Sequence, residues 1–228
     1  MDLTAPTRAA LARCIDHTVL KPETTAAQID QLCEECRTYG FVAACVNPVW
    51  VERAFARLDG SSTLVASVVG FPLGASTTEV KAAEAMLAAE QGAREIDMVV
   101  NLGALLAGDH DTVAGDIAAV VDAAKSVTED IAVKVILETA ALNDEQIILG
   151  CRCTAEGQAD FVKTSTGFHP AGGATTRHVS LLRKHAAPLK VKASGGIRDL
   201  PTALAMLAAG ADRLGLSAGV AVMQALPA

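Results

Sequence analysis

Short runs dominated by valine, isoleucine, alanine and leucine recur along the chain, separated by longer stretches in which apolar residues return every three or four positions. The runs predict eight strands, over 14–20, 41–46, 64–70, 94–100, 132–138, 160–164, 189–193 and 212–216. They are almost continuously apolar rather than alternating, as strands of a parallel sheet covered on both faces are. Between them the spacing predicts helices over 24–39, 47–57, 77–91, 111–127, 143–156, 175–184, 201–209 and 218–226, with a short turn of helix at 102–108. Thr24 and Thr25 suit a helix start and Gly40 a helix stop. Within 77–91, Val80, Ala83, Met86 and Leu87 fall at helical spacing.

Eight strand–helix units point to an α/β fold of the closed (β/α)8 TIM-barrel type, not an open doubly wound sheet. The first strand ends in Asp16-His17-Thr18, where an open dinucleotide-binding sheet would carry its glycine-rich phosphate loop. No linker-like or low-complexity stretch divides the 228 residues, so one domain over 1–228 is expected.

Composition narrows the class. Hydrophobic residues make up 51% and aromatics 3%, which predicts an aliphatic, alanine-rich core. No apolar run reaches the roughly 18 residues of a membrane span, and Met1–Pro6 lacks the basic-then-apolar order of a secretory signal. The expectation is a soluble cytoplasmic protein with no membrane partner. A net charge of −7 argues against a nucleic-acid partner while leaving room for an anionic small molecule. The six cysteines, at 14, 33, 36, 45, 151 and 153, read as free thiols; Cys33-x-x-Cys36 would need Cys151 and Cys153 beside it to hold zinc. The histidines at 17, 110, 169, 178 and 185 show no paired ligand spacing, so no metal or cofactor is expected. His17 is a candidate for a hydrogen bond at the barrel end, and Val49-Trp50-Val51 for an exposed apolar contact.

In a barrel of this kind the active site forms where strands end and their loops begin. The polar residues there are Asp16, His17 and Thr18, with Lys21 following; Cys45 and Asn47; Glu95 and Asp97; Lys134 and Glu138; Lys163, Ser165 and Thr166; Lys190, Lys192 and Ser194; and Gly215 and Ser217. A lysine in an apolar strand such as Phe161-Val162-Lys163 is paired, reaches solvent, or is chemically used, because burial disfavours the ammonium form. Period-two alternation puts Lys134, Lys163 and Lys192 on faces that converge with Asp97 if those faces point inward. Mutual repulsion and burial would free one amine to attack a carbonyl. Moving a lysine from about 10.4 to about 7 costs roughly 4–5 kcal/mol, which a large domain tolerates. Asp97 or Asp16 could then move protons at the carbon centre. Lys192-Ala193-Ser194-Gly195-Gly196-Ile197-Arg198 and Gly215-Leu216-Ser217 stand where barrels of this class often bind phosphate. Spacing alone does not choose between Lys163 and Lys192, nor between a Schiff base, electrostatic clamping in an isomerase or lyase, and a non-catalytic phosphosugar sensor.

At Asp16-His17-Thr18, Gly70-Phe71-Pro72-Leu73-Gly74, Glu95-Ile96-Asp97-Met98-Val99-Val100-Asn101, Lys134-Val135-Ile136-Leu137-Glu138-Thr139, 161–167 and 191–198 the chain resembles the deoxyribose-phosphate aldolases, nearly end to end. The resemblance implies a metal-free, cofactor-free class I aldolase that reversibly cleaves 2-deoxyribose 5-phosphate to acetaldehyde and glyceraldehyde 3-phosphate. It implies Lys163 as the Schiff-base lysine, Lys192 as the cation that lowers its pKa, and Asp97 as proton relay, assisted by Asp16. It further implies substrate contacts from Asp16, Thr18, Cys45, Thr166, Gly167, Gly195, Gly196, Gly215 and Ser217, and a homo-oligomer, dimer or tetramer. Three positions depart from the pattern: Phe168 stands where some members carry a phosphate-binding lysine, Ala218 follows Ser217 in place of a second serine, and the only tyrosine is Tyr39 rather than a C-terminal one. These departures predict a weakened preference for the phosphorylated substrate.

Overall fold

The computed structural model describes residues 6–227; the remaining positions of the N-terminal stretch read above, Met1 to Ala5, and Ala228 lie outside the described residues. All eight expected strands form: β1 (Ile15–Val19), β2 (Ala43–Val46), β3 (Leu64–Val69), β4 (Glu95–Val99), β5 (Ala132–Ile136), β6 (Phe161–Lys163), β7 (Lys190–Ser194) and β8 (Arg213–Leu216). Each pairs in parallel with the next, and β8 pairs with β1, which closes the barrel. The helices are α1 (Arg8–Ala12), α2 (Ala26–Tyr39), α3 (Val51–Arg57), α4 (Thr78–Glu90), α5 (Leu102–Ala107), α6 (His110–Val127), α7 (Asp144–Glu156), α8 (Thr176–His185), α9 (Leu200–Ala208) and α10 (Gly219–Gln224). Among the described residues no helix is long and apolar enough to cross a membrane.

Local sequence explains most boundaries. Thr25 and Gln28 form a capping box at the start of α2, and Gly40 ends it in the left-handed conformation at φ 70°. Asn143 and Gln146 repeat the box at α7. The helix expected over 47–57 begins instead with a 3-10 turn, Pro48–Trp50, before α3. The unforeseen α1 is a five-residue helix capped by the Thr7 hydroxyl, which accepts from the Ala10 N–H.

The helix expected over 77–91 forms, and exposure departs from hydropathy there and at 49–51. Val80, Met86 and Leu87 on α4 are exposed, and the buried face is Lys81, Ala85, Ala88 and Ala89. Small side chains let α4 lie close against α6, and Lys81 spans that contact to reach Asp116 at 2.7 Å. In Val49-Trp50-Val51, only Val49 is well exposed, at 78%; Val51 is a core residue at 0%.

The main core lies between the outward strand faces and the helices, where Ile96, Val133 and Val162 pack with residues such as Leu32, Ile117 and Leu182. Each such large aliphatic side chain contributes about 1.5–3 kcal/mol by leaving water. The inside of the barrel is divided. On β2 and β3 it is small and apolar, with Ala43, Cys45, Ala66 and Val68 packed under Leu20. From β4 round to β1 it is charged. The register makes those charges neighbours, because parallel partners share a face: Asp97 pairs with Lys134, Lys163 with Lys192, and Lys192 with Arg213. Phe161 lies beneath them, its ring centre 5.9 Å from Lys134 Nζ and 5.9 Å from Arg213 Cζ.

Candidate active site

Four cationic side chains and three carboxylates, all buried, form one connected network inside the barrel. Asp97 is its hub. Its Oδ2 accepts from Lys163 Nζ at 2.6 Å and from Lys192 Nζ at 2.6 Å, and its Oδ1 accepts from Lys134 Nζ at 2.7 Å. Lys192 also donates to Asp16 Oδ2. Lys134 donates to Glu95 Oε2 at 2.7 Å. Arg213 closes the circuit, donating through Nε to Asp16 Oδ1 at 2.7 Å and through Nη1 and Nη2 to Glu95 at 2.9 and 2.8 Å.

The electrostatics separate one member from the rest. Burial works against the charged form of every lysine here. For Lys134 it is outweighed by Asp97 and Glu95, and for Lys192 by Asp16 and Asp97, so both sit above the ordinary lysine value. Arg213 is likewise raised, its burial overcome by Asp16 and Glu95. Lys163 is pushed the other way: burial lowers it, Asp97 opposes, and the neighbouring Lys192 adds to the depression. On Asp97 and Asp16 burial favours the neutral acid, but the surrounding cations prevail and hold both carboxyls below their usual range, Asp97 well below. Among the four cations the proton is thus held firmly on Lys134, Lys192 and Arg213 and loosened on Lys163.

Lys163 also stands at an opening. A cavity of about 520 Å³ at the C-terminal ends of the strands is lined by Lys163, Thr18, Thr166, Gly167, Phe168 and the loops after β7 and β8. Of the four network cations only Lys163 reaches that lining, with 3% of its surface exposed. Around the rim, Gly195 and Gly196 adopt φ of 87° and 82°, and Lys21, Arg198, Gly215 and Ser217 complete the wall. Gly195 is required on spatial grounds as well, since a Cβ there would lie 3.0 Å from the Gly173 Cα. At Gly215 a Cβ would meet the Lys192 stem at 3.0 Å, so this glycine makes room for the buried lysine. A second cavity of about 250 Å³ adjoins the first across Thr166 and Phe168 and is lined also by Glu138, His169 and Leu73. Glu138, in the left-handed region at φ 59°, accepts from the Thr166 hydroxyl at 2.5 Å and thereby fixes the loop after β6.

A family described as "DeoC/LacD family aldolase" matches residues 10–225 of this chain. The chain belongs to that family. Among its relatives, the deoxyribose-phosphate aldolase of Brevibacillus brevis is 53% identical, over 92% of this chain and 93% of that protein. The deoxyribose-phosphate aldolase of Macrococcus caseolyticus is also 53% identical, over 94% and 96% respectively. Among solved structures, a tetrameric deoxyribose phosphate aldolase from Aeropyrum pernix superimposes with a TM-score of 0.89 at 35% identity, over 96% of this chain and 91% of that one.

In this aldolase the structure brings together most of the residues singled out from the sequence. Lys163, Lys192 and Asp97 meet as expected from alternation, and Thr18, Thr166, Gly167, Gly195, Gly196, Gly215 and Ser217 all line the cavity. Asp16 and Cys45 are buried beneath it and do not line it. Asp16 is held by Lys192 and Arg213, and Cys45 lies with the apolar half of the interior, where burial pushes its thiol up. His17 turns away from the interior, its Nε2 2.6 Å from Glu35 Oε2 on α2. Lys190 alternates in phase with Lys192 but sits at the exposed end of β7, 5.4 Å from the Phe161 ring centre. Cys33 and Cys36 are on α2 and Cys151 and Cys153 on α7, all free thiols. Among the described residues no group of three or more His, Cys, Asp or Glu side chains is placed to hold a metal ion. The residue that sequence reasoning passed over is Arg213. The signal was available: it lies two positions before Gly215 and so shares its face.

Proposed function

We propose that this protein is a deoxyribose-phosphate aldolase acting through a Schiff base on Lys163. The observation that carries the reading is that Lys163 alone combines a lowered pKa with a place in the cavity wall. A neutral amine there can attack the C1 carbonyl of open-chain 2-deoxyribose 5-phosphate. The carbonyl oxygen leaves as water and a protonated imine forms. Loss of the proton from the C3 hydroxyl then breaks the C2–C3 bond. Its electrons flow into the imine to give an enamine, and glyceraldehyde 3-phosphate departs. Protonation of the enamine at C2 and hydrolysis of the imine release acetaldehyde and restore the amine.

Asp97 and Lys192 serve the proton transfers in this scheme. Asp97, ionised and hydrogen-bonded to both lysines, passes protons without retaining them, and Lys192 keeps its own charge beside the nucleophile. Asp16 orients Lys192. The phosphate lies against Gly195, Gly196, Gly215 and Ser217, with Arg198 and Lys21 supplying positive charge despite Phe168. Thr18, Thr166 and Gly167 shape the wall between the two ends. Cys45 acts only as packing under the lysines. The residues form one catalytic domain, and free thiols suit a cytoplasmic location. The exposed Val80, Met86 and Leu87 of α4 offer an apolar face for association into a dimer or tetramer.

The test is borohydride reduction in the presence of acetaldehyde, followed by peptide mass mapping. A stable two-carbon adduct on Lys163 is expected. Its absence under conditions where deoxyribose phosphate is turned over, or its appearance on Lys192 instead, would overturn the assignment.

A further inference from the structure

The barrel interior holds more positive side chains than negative ones. Lys134, Lys163, Lys192 and Arg213 face Asp16, Glu95 and Asp97, and all seven are buried, four of them with no exposed surface. An unmatched charge in such a place is expensive, so the set settles with three cations against three anions. The partners decide which group gives up its proton. Arg213 cannot, because a guanidinium stays charged at any physiological pH. Lys134 has two carboxylates at 2.7 Å, Glu95 and Asp97. Lys192 also has two, Asp16 and Asp97. Lys163 has one, and shares the oxygen it uses with Lys192.

We infer that Arg213 and Glu95, neither of which lines the cavity, are positioning residues that set the pH at which Lys163 becomes a nucleophile, by fixing the count of buried charges around it. The inference rests on the reading of Lys163 as the Schiff-base lysine. Few other titratable groups face the network. On β2 there is Cys45, and β3 presents only Ala66 and Val68. His17 on β1 faces Glu35, and Glu138 beyond β5 is taken up by Thr166. Lys190 lies at the exposed end of β7. Lys21 and Arg198 stand on the cavity rim.

The count makes opposite predictions for two substitutions. In Arg213→Met three lysines match three carboxylates, so Lys163 keeps its proton to higher pH. In Glu95→Gln four cations face two carboxylates, so Lys163 loses its proton at lower pH. The double variant has three against two and regains the native excess of one. Arg213→Lys preserves the count.

The experiment follows borohydride trapping of acetaldehyde on Lys163 as a function of pH in each full-length variant. The midpoint is expected to move up by about one pH unit in Arg213→Met and down by a similar amount in Glu95→Gln. It should return toward the native value in the double variant and stay near it in Arg213→Lys. Midpoints that move the same way in both single variants, or in neither, overturn the inference. Should Arg213→Met not fold, the downward shift in Glu95→Gln decides alone, since Gln keeps the shape and Arg213 keeps Asp16. Failure of the two readings looks different: no adduct in the native enzyme at any pH defeats the Schiff-base assignment, whereas an adduct whose midpoint ignores both substitutions defeats only this one.

Discussion

Two buried lysines in this molecule have nearly the same immediate surroundings and different consequences. Lys81, on α4, is 0% exposed and 2.7 Å from Asp116 on α6. Lys163, on β6, is 3% exposed and 2.6 Å from Asp97. The difference lies one contact further out. Lys81 has its carboxylate to itself among the lysines, donates a second bond to the Val99 carbonyl at 3.1 Å, and the Thr78 hydroxyl satisfies the other carboxylate oxygen at 3.0 Å. That pair is complete and closed off, and it ties α4 to α6. Asp97 is divided among three lysines, and Lys163 has the smallest share and the open side. Burial next to an aspartate therefore does not make a lysine reactive. Competition for the aspartate does.

Substituting each lysine by methionine tests this contrast most directly. Lys163→Met is expected to lower kcat for deoxyribose phosphate cleavage by on the order of 10⁴-fold or more, as loss of a covalent nucleophile does. It should leave stability to urea undiminished, because three cations still match three carboxylates. Lys81→Met is expected to do the reverse. It strands Asp116 between two helices, a loss of about 3–5 kcal/mol on urea unfolding, while the folded fraction keeps kcat within a few-fold of native. Equal destabilisation by the two substitutions would remove the distinction. The smallest effect concerns the cavity mouth. Phe168→Lys adds a cation beside the proposed phosphate position, and should raise the preference in kcat/KM for deoxyribose 5-phosphate over free deoxyribose by roughly threefold, the weight of one exposed ion contact.

Much of this was legible in the residue order, for identifiable reasons. The strands are short, rich in valine, isoleucine and alanine, and interrupted by at most two charges each, so all eight announced themselves as runs, with ends misplaced by no more than a few residues. Alternation correctly aligned Lys163 and Lys192 with Asp97, because period two is rigid within a strand. Alternation does not say how far along the barrel axis a residue sits, and so could not separate Lys190, at the open end of β7, from Lys192. Nor could it count charges contributed by strands far apart in sequence. Arg213 was hidden for that reason: its partners Asp16 and Glu95 are brought to it only when β8 closes on β1. On α4 the apolar spacing marked a helix but not the face it buries. A lysine and three alanines make the close contact with α6, and they carry no hydrophobic signal as strong as the valine and leucine left outside.

Phe161 gives the barrel a stopper. Its ring sits under Lys134 and Arg213, with the Lys190 ammonium also over the ring, 5.4 Å from its centre. Above it, Asp16, Asp97, Lys134 and Lys192 have no exposed surface. The chain of hydrogen bonds from Glu95 to Lys163 therefore has a dry middle, open to the cavity at Lys163 and slightly to solvent at Arg213, 9% exposed, and Glu95, 3% exposed. A proton passed among Asp97, Lys134, Lys163 and Lys192 therefore crosses no layer of water, and its path is set by side-chain contacts of 2.6–2.7 Å.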